Sequence, residues 1–291
     1  MDAKHQLPEK VFNKIAIAVA FSPRIEAILA EAKNLEEKFK AEIIFIHVGE
    51  QSFEHEQYLK HLLHRFHFDD EKNKIIWQNG IPVETILNVC EEENVDLLVA
   101  GALEKESLLK YFQGSVARKL SRKTKCSMLM LTDPTIKPIQ LKKIVVEGSD
   151  HSKTGNTISH AMEWAKAYQS EEVNIIQETD LSKLALTRSD EFKEVEVAKL
   201  KAVLLKEEDE KLNYILSCID CGNIKVNVKR IDGKPGYVIS KFARENNADL
   251  LVLNSPDRKL NILDRVFPHD IEFALADLPC NLLLINSKDE E

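Results

Sequence analysis

The residues best placed to do chemistry lie between Gly101 and Val116. An apolar run, Asp96–Ala100, ends at Gly101-Ala-Leu-Glu104; nine residues later come Gly114-Ser115-Val116. A glycine lets backbone amides approach an anion closely. Gly114-Ser115 opens a stretch with helical character, and the free N–H groups at a helix start attract negative charge. Ser115 supplies a hydroxyl donor or caps the helix. The chemistry on offer is therefore anion or phosphate binding. The plain alternative is a helix start and nothing more.

Two weaker constellations stand elsewhere. His61, His64 and His67 follow at three-residue steps, with His55 before them and Asp69-Asp70 after. One helix face could bring two of them to a metal, but the spacing drifts around the helix, and a solvated His-rich surface is the preferred reading. Cys218-Ile-Asp-Cys221 has redox or metal spacing. It follows a helical segment rather than a strand and has no second Cys pair, so plain thiols at a helix end are preferred. No convergent set of groups suggests acid–base or triad catalysis.

These residues need a scaffold, and the chain builds it twice. Asn79-Gly-Ile-Pro-Val-Glu-Thr-Ile-Leu87 matches Asp232-Gly-Lys-Pro-Gly-Tyr-Val-Ile-Ser240, and Val95-Asp-Leu-Leu-Val-Ala-Gly101 matches Ala248-Asp-Leu-Leu-Val-Leu-Asn254, both at an offset of 153. Lys125-Cys-Ser-Met-Leu-Met-Leu131 matches Pro279-Cys-Asn-Leu-Leu-Leu-Ile285 at 154, whereas Lys14-Ile-Ala-Ile-Ala-Val19 matches Lys143-Ile-Val-Val-Glu-Gly148 at 129. Four matches in one order indicate an internal repeat, with about 24 extra residues between the second and third strands of the second copy. The domains are expected at 1–136 and 137–291, with an inserted helical segment near 180–222.

Each copy reads β-α-β-α-β-α-β-α-β. In the first, the expected strands are Ile15–Val19, Ile43–Val48, Lys74–Trp77, Asp96–Ala100 and Met128–Leu131. Ser22-Pro23 looks like a capped helix start, followed by Ile25, Ile28, Leu29, Ala32 and Leu35 at helical spacing. Gly80-Ile81-Pro82 opens a helix with Val83, Ile86, Leu87 and Cys90 on one stripe, and a further helix covers Gly114–Arg122. Apolar strands alternating with helices imply α/β architecture: two tandem, doubly wound, mainly parallel five-stranded sheets. Gln51–Lys72 and Asp180–Gly222 are charged and helix-favouring. Phe192, Val195, Leu200, Val203 and Leu204 in the second give a loose apolar stripe, read as a surface helix in preference to a partner-binding one.

The bulk composition narrows the partners. The 291 residues carry a formal net charge of −8 without a long basic run, which argues against nucleic-acid binding. No apolar run reaches the ~20 residues of a membrane span, and the polar N-terminus lacks a signal-peptide core, so the expected compartment is the cytoplasm. Of five cysteines, Cys90, Cys126 and Cys280 sit in apolar patterns and read as buried reduced thiols.

With these motifs in view, the chain resembles a tandem universal stress protein. That family's pattern is Gly, two residues, Gly, nine residues, Gly, then Ser or Thr, after an apolar strand. Gly101 and Gly114-Ser115 match it, and Glu104 stands at the second glycine. Lys14-Ile-Ala-Ile-Ala-Val-Ala20-Phe-Ser22 resembles the family's opening strand and turn, and His47-Val48, Gly80-x-Pro82 and Asp96-Leu-Leu-Val99 fit as well. The resemblance implies a Rossmann-like, adenine-nucleotide alpha hydrolase-like fold, an intrachain pseudo-dimer through the last strands Met128–Leu131 and Leu282–Ile285, a homodimer of chains, and in part of the family bound ATP without fast turnover. Val48, Gly101, Gly114, Ser115 and Val116 are the retained ATP-site positions.

Two positions of the first copy depart from that pattern. Ala20 replaces the Asp that contacts adenine, and Glu104 adds a carboxylate near the phosphates. The second copy departs further: Asn254 and Asp257 replace the first two glycines, Pro268-His269 replaces Gly-Ser, and Asp270 adds another carboxylate. Proline removes one N–H donor. A one-residue shift at Ser149-Asp150 recovers an Asp. Three readings follow: a non-catalytic stress-response or regulatory protein with a degraded first site and a lost second one; an ATP-binding switch or slow ATPase using the first copy; and a binding module for another small molecule or a protein partner.

Overall fold

The computed structural model describes residues 11–101, 115–138, 140–179, 194–256 and 270–286. The chain divides into two compact units, Met1–Ile139 and Gln140–Glu291. The first contains β1 (Lys14–Ala18), α1 (Ile25–Phe39), β2 (Glu42–Val48), α2 (Phe53–Arg65), β3 (Lys74–Gln78), α3 (Pro82–Glu92), β4 (Leu97–Gly101), α4 (Ser115–Lys123) and β5 (Ser127–Leu131). Its strands run in the order β3-β2-β1-β4-β5, and every pairing among them is parallel. Ile15, Ala16 and Ile17 of the central strand are fully buried, as a strand covered on both faces requires.

The second unit contains β6 (Lys143–Glu147), α5 (Thr154–Tyr168), β7 (Glu172–Thr179), α6 (Glu194–Ser217), β8 (Lys225–Asp232), α7 (Tyr237–Glu245), β9 (Leu250–Asn254), α8 (Asp270–Ala276) and β10 (Asn281–Ile285). Its strand order is β8-β7-β6-β9-β10, again parallel throughout. In each unit the chain winds outward from the first strand, then crosses to its other side. That reversal makes a crevice at the carboxyl ends of β1 and β4, and of β6 and β9.

Several sequence matches have direct structural causes. In the first unit, Asp96 Oδ2 accepts hydrogen bonds from the backbone N–H groups of Asn13 and Lys14 at 2.9 and 3.1 Å. In the second, Asp249 Oδ2 accepts from Lys142 and Lys143 at 2.8 and 2.9 Å. The matched Asp therefore ties the start of the central strand to its neighbour. Gly80 and Gly233 take φ of 149° and 141°, and a Cβ there would lie 2.5 Å from Thr85 Oγ1 or Val238 Cγ1. Asn94 and Asn247 take left-handed φ of 53° and 50° just beyond α3 and α7, a conformation Asn tolerates better than most residues.

The structure moves some element ends. Ser22-Pro23 lies in a turn ahead of α1, where Ser22 Oγ accepts from the Arg24 N–H at 3.3 Å and the Ile25 N–H bonds the Ser22 carbonyl at 3.0 Å. The tighter turn delays α1 to Ile25. Within Gln51–Lys72, Ser52 caps α2 by accepting from the His55 N–H at 3.2 Å. The insertion holds α6, whose Leu212 is buried while Val203 and Leu204 are exposed. Phe192 and the side chains of Val195 and Leu200 lie outside the described residues.

The thiols divide by environment. Cys90 and Cys126 are buried and Cys280 half-buried. The Cys90 thiol is pushed up by its hydrogen bond to Cys126 and by burial; the same contact lowers Cys126, whose sulfur also lies 3.1 Å from Thr124 Oγ1. Burial, then the nearby Asp249 carboxylate, push Cys280 up to about 12. Among the described residues, no helix is long and apolar enough to cross a membrane.

His160 on α5 carries a pH dependence. Burial holds its pKa below the usual histidine value and outweighs the Asn156 carbonyl 3.0 Å from Nδ1 and the Glu163 charge. The unfolded chain thus takes up this proton first as pH falls, and stability is lost once pH drops through about 6.5. His160→Gln is expected to flatten that part of the stability–pH curve. Urea midpoints of both proteins from about pH 8 to pH 5 check this, and identical slopes would refute it.

Candidate functional site

The crevice of the first unit is built by the carboxyl ends of β2, β1 and β4. Ala20 follows β1 and is exposed, Val48 closes β2 and is half-buried, and Gly101 closes β4 and is exposed. A Cβ on Gly101 would stand 3.3 Å from Ile28 Cδ1, so the glycine permits close packing of α1 on the strand end. Val116, 37% exposed, lies in the first turn of α4. Ser115 is the first residue of that helix. Its side chain, Glu104 and Gly114 lie outside the described residues. The strand ends thus bring Ala20, Val48 and Gly101 to one edge of the sheet.

That edge is aromatic, which sequence reasoning missed. His47 places Nδ1 3.0 Å from the Val19 carbonyl, and a carbonyl can only accept, so the ring donates through Nδ1–H. Trp77 at the end of β3 donates Nε1–H to the Gly49 carbonyl at 3.0 Å. The two rings lie 4.4 Å apart between centroids. Phe21 covers them, at 4.8 Å from His47 and 5.8 Å from Trp77, and stacks on His55 of α2 at 4.4 Å and 16°. The chain therefore satisfies the Val19 and Gly49 carbonyls with its own ring N–H groups. The signal in the sequence was thin: Phe21, His47 and Trp77 are far apart in the chain, and only His47 belonged to a recognised motif.

The carboxyl edge of the second unit's sheet carries charged and polar side chains that bond to one another and to the backbone. Asn254 ends β9 at the position of Gly101. Its backbone N–H donates to Glu147 Oε2 at 2.9 Å, and its Oδ1 accepts from Thr157 Oγ1 at 2.5 Å. Asp150, just beyond β6, accepts from Lys211 Nζ of α6 at 2.8 Å, and that carboxylate raises the lysine above its usual range. Glu178 near the end of β7 sits at the start of α7, where Oε1 accepts from the N–H groups of Gly236 and Ile239 at 2.9 and 3.0 Å. A carboxylate of the chain itself thus takes the favoured anion position at a helix start. Asp257, Pro268 and His269 lie outside the described residues, as does the side chain of Asp270.

Arg230 of β8 holds α6 in place. Its guanidinium donates to Glu208 Oε2 at 2.6 Å and Asp209 Oδ1 at 2.7 Å. Burial lowers the Arg230 pKa, but these two carboxylates outweigh it and raise the value. The insertion thus reaches the crevice through Lys211 and the sheet edge through Arg230. His61, His64 and His67 are exposed, with His64 Nε2 3.2 Å from Asp70 Oδ2. Among the described residues, no group of three or more His, Cys, Asp or Glu side chains is arranged to hold a metal ion.

The model of the universal stress protein family matches residues 49–132 and 141–268. Universal stress protein YxiE of Bacillus subtilis is 26% identical over 147 residues, which cover 42% of this chain and 99% of that protein. Among solved structures, a functionally unknown protein of Pseudomonas aeruginosa superposes with a TM-score of 0.66 at 15% identity, over 94% of this chain and 92% of that one. A universal stress protein of Archaeoglobus fulgidus gives 0.65 at 16% identity, over 94% and 99%. At such identities the structural likeness speaks for the fold alone.

Proposed function

From the premise that this chain belongs to the universal stress protein family, we propose that it is a non-catalytic stress-response or regulatory member whose nucleotide site is degraded in the first unit and lost in the second. The observation that carries the reading is at Val19-Ala20. Adenine recognition in the pattern this chain resembles uses an acidic acceptor, and the methyl group of Ala20 accepts nothing. The neighbouring Val19 carbonyl is engaged by His47. In the second unit, the one Asp that a shifted alignment recovers, Asp150, is paired with Lys211. The candidate positions Val48, Gly101, Gly114, Ser115 and Val116 remain as a scaffold without its base contact.

Millimolar ATP with magnesium is therefore expected to leave the thermal unfolding of the full chain unchanged. A ligand at one hundred times its dissociation constant would add ~2.7 kcal/mol, an easily measured shift. ATP-dependent stabilisation that disappears in Gly114→Pro would replace this reading with a nucleotide switch or slow ATPase in the first unit. The reading includes a homodimer acting in the cytoplasm. Light scattering on the same sample gives its mass, and a monomer mass removes the homodimer.

A further inference from the structure

We propose that Cys218 and Cys221 form a reversible dithiol–disulfide site at the foot of the inserted helix, oxidised by small thiol disulfides. This goes beyond the nucleotide question and does not depend on its answer. Cys218 is exposed and Cys221 half-exposed, whereas Cys90 and Cys126 are buried. The pair lies where α6 has just ended at Ser217. The N–H groups of Cys218 and Ile219 still bond back to the carbonyls of Ile215 and Leu216 at 3.1 and 3.3 Å. Beyond them the chain turns: Asp220 Oδ1 accepts from the Gly222 N–H at 3.0 Å, and the Ile224 N–H bonds the Cys221 carbonyl at 3.1 Å. Gly222 takes φ of 54° with open space around it.

Neither thiol is committed to a strong partner. Cys221 Sγ makes a 3.6 Å contact with the Ile219 carbonyl, and Cys218 Sγ lies 3.9 Å from Ser217 Oγ; sulfur is a weak donor and acceptor. A zinc centre needs four ligands, and no third acidic, His or Cys ligand is grouped with the pair among the described residues. That leaves exchange chemistry between two solvent-reachable thiols separated by two residues.

The Cys218 thiolate attacks one sulfur of a small disulfide such as oxidised glutathione. A Cys218–glutathione bond forms, the glutathione S–S bond breaks, and one glutathione leaves as thiolate and takes a proton. The Cys221 thiolate, its proton lost to solvent, then attacks the Cys218 sulfur and releases the second glutathione. Two protein thiols are oxidised by two electrons and one small disulfide is reduced to two thiols. The new bond closes a ring across the turn that contains Asp220. That carboxylate reaches Lys166 of α5 at 3.4 Å, so oxidation acts where the insertion meets the body of its unit.

The test equilibrates the full chain in glutathione buffers of graded ratio, blocks free thiols at low pH, and maps tryptic peptides by mass. The peptide Leu212–Lys225 contains both residues. It is expected to lose the mass of two hydrogens, with the disulfide-to-dithiol ratio rising about tenfold for each tenfold rise in oxidised glutathione over the square of reduced glutathione. Cys221→Ser should halt at the first step and carry one glutathione on Cys218. Two alkylated cysteines across the whole range, or a wild-type chain that accumulates only the mixed disulfide, would overturn the proposal.

Discussion

Replacing Phe45 by Ala is expected to cost the first unit about 3–5 kcal/mol, the range for emptying a large buried aromatic site. Phe45 lies in β2 with none of its surface exposed, and its ring meets Phe68 edge-to-face at 4.9 Å and 83°. Phe68 follows α2 and is itself buried, so the pair fastens that helical excursion to the sheet. The loss contains the transfer of the ring from water, the cavity left by incomplete collapse, and the edge-to-face term of about 0.5–1.5 kcal/mol. Phe45→Leu should recover much of it. Urea unfolding of the three proteins measures the difference. A change below about 1 kcal/mol for the Ala variant would show that the site is not tightly packed.

Asp249→Ala is expected to destabilise the second unit by about 1.5–3 kcal/mol, the scale for losing hydrogen bonds to a charged group. One carboxylate oxygen accepts from two successive backbone N–H groups at the start of β6. Without it the Lys143 N–H loses this acceptor at a part-buried strand end, and the Lys142 N–H is left with the Gln140 carbonyl at 3.0 Å. Asp249→Asn keeps a carbonyl oxygen at the same place and should lose less. Because Asp96 does the same for β1, Asp96→Ala should behave alike in the first unit. Equal stabilities of wild type and Asp249→Ala would mean that the contact holds register without contributing free energy.

These two sites mark what could be read in the chain. Phe45 lay inside an apolar run, and Asp249 inside a repeated segment, so the parallel architecture and its duplication were legible from periodicity and internal matching. The strand ends were less so. Ser22-Pro23 carried a sound helix-start signal, yet the backbone spends those residues on a tighter turn. The glycine-rich spacing pointed to Gly101 at the edge of the crevice but not to Phe21, His47 and Trp77, because stacking between distant residues leaves no periodic trace. Lys211 was hidden for a similar reason: in a helix rich in charge, the sequence does not say which lysine will meet Asp150.

The Glu178 carboxylate at the start of α7 has a consequence for competition. A free anion meets a helix terminus at whatever concentration the solution provides. A side chain anchored on the neighbouring strand meets it at an effective concentration set by its tether, which for short tethers is of millimolar order or above. Any external anion directed at these amides must first displace a rival that never diffuses away. The second unit thus carries its own inhibitor of that position, built into the fold and present in every copy at equal stoichiometry.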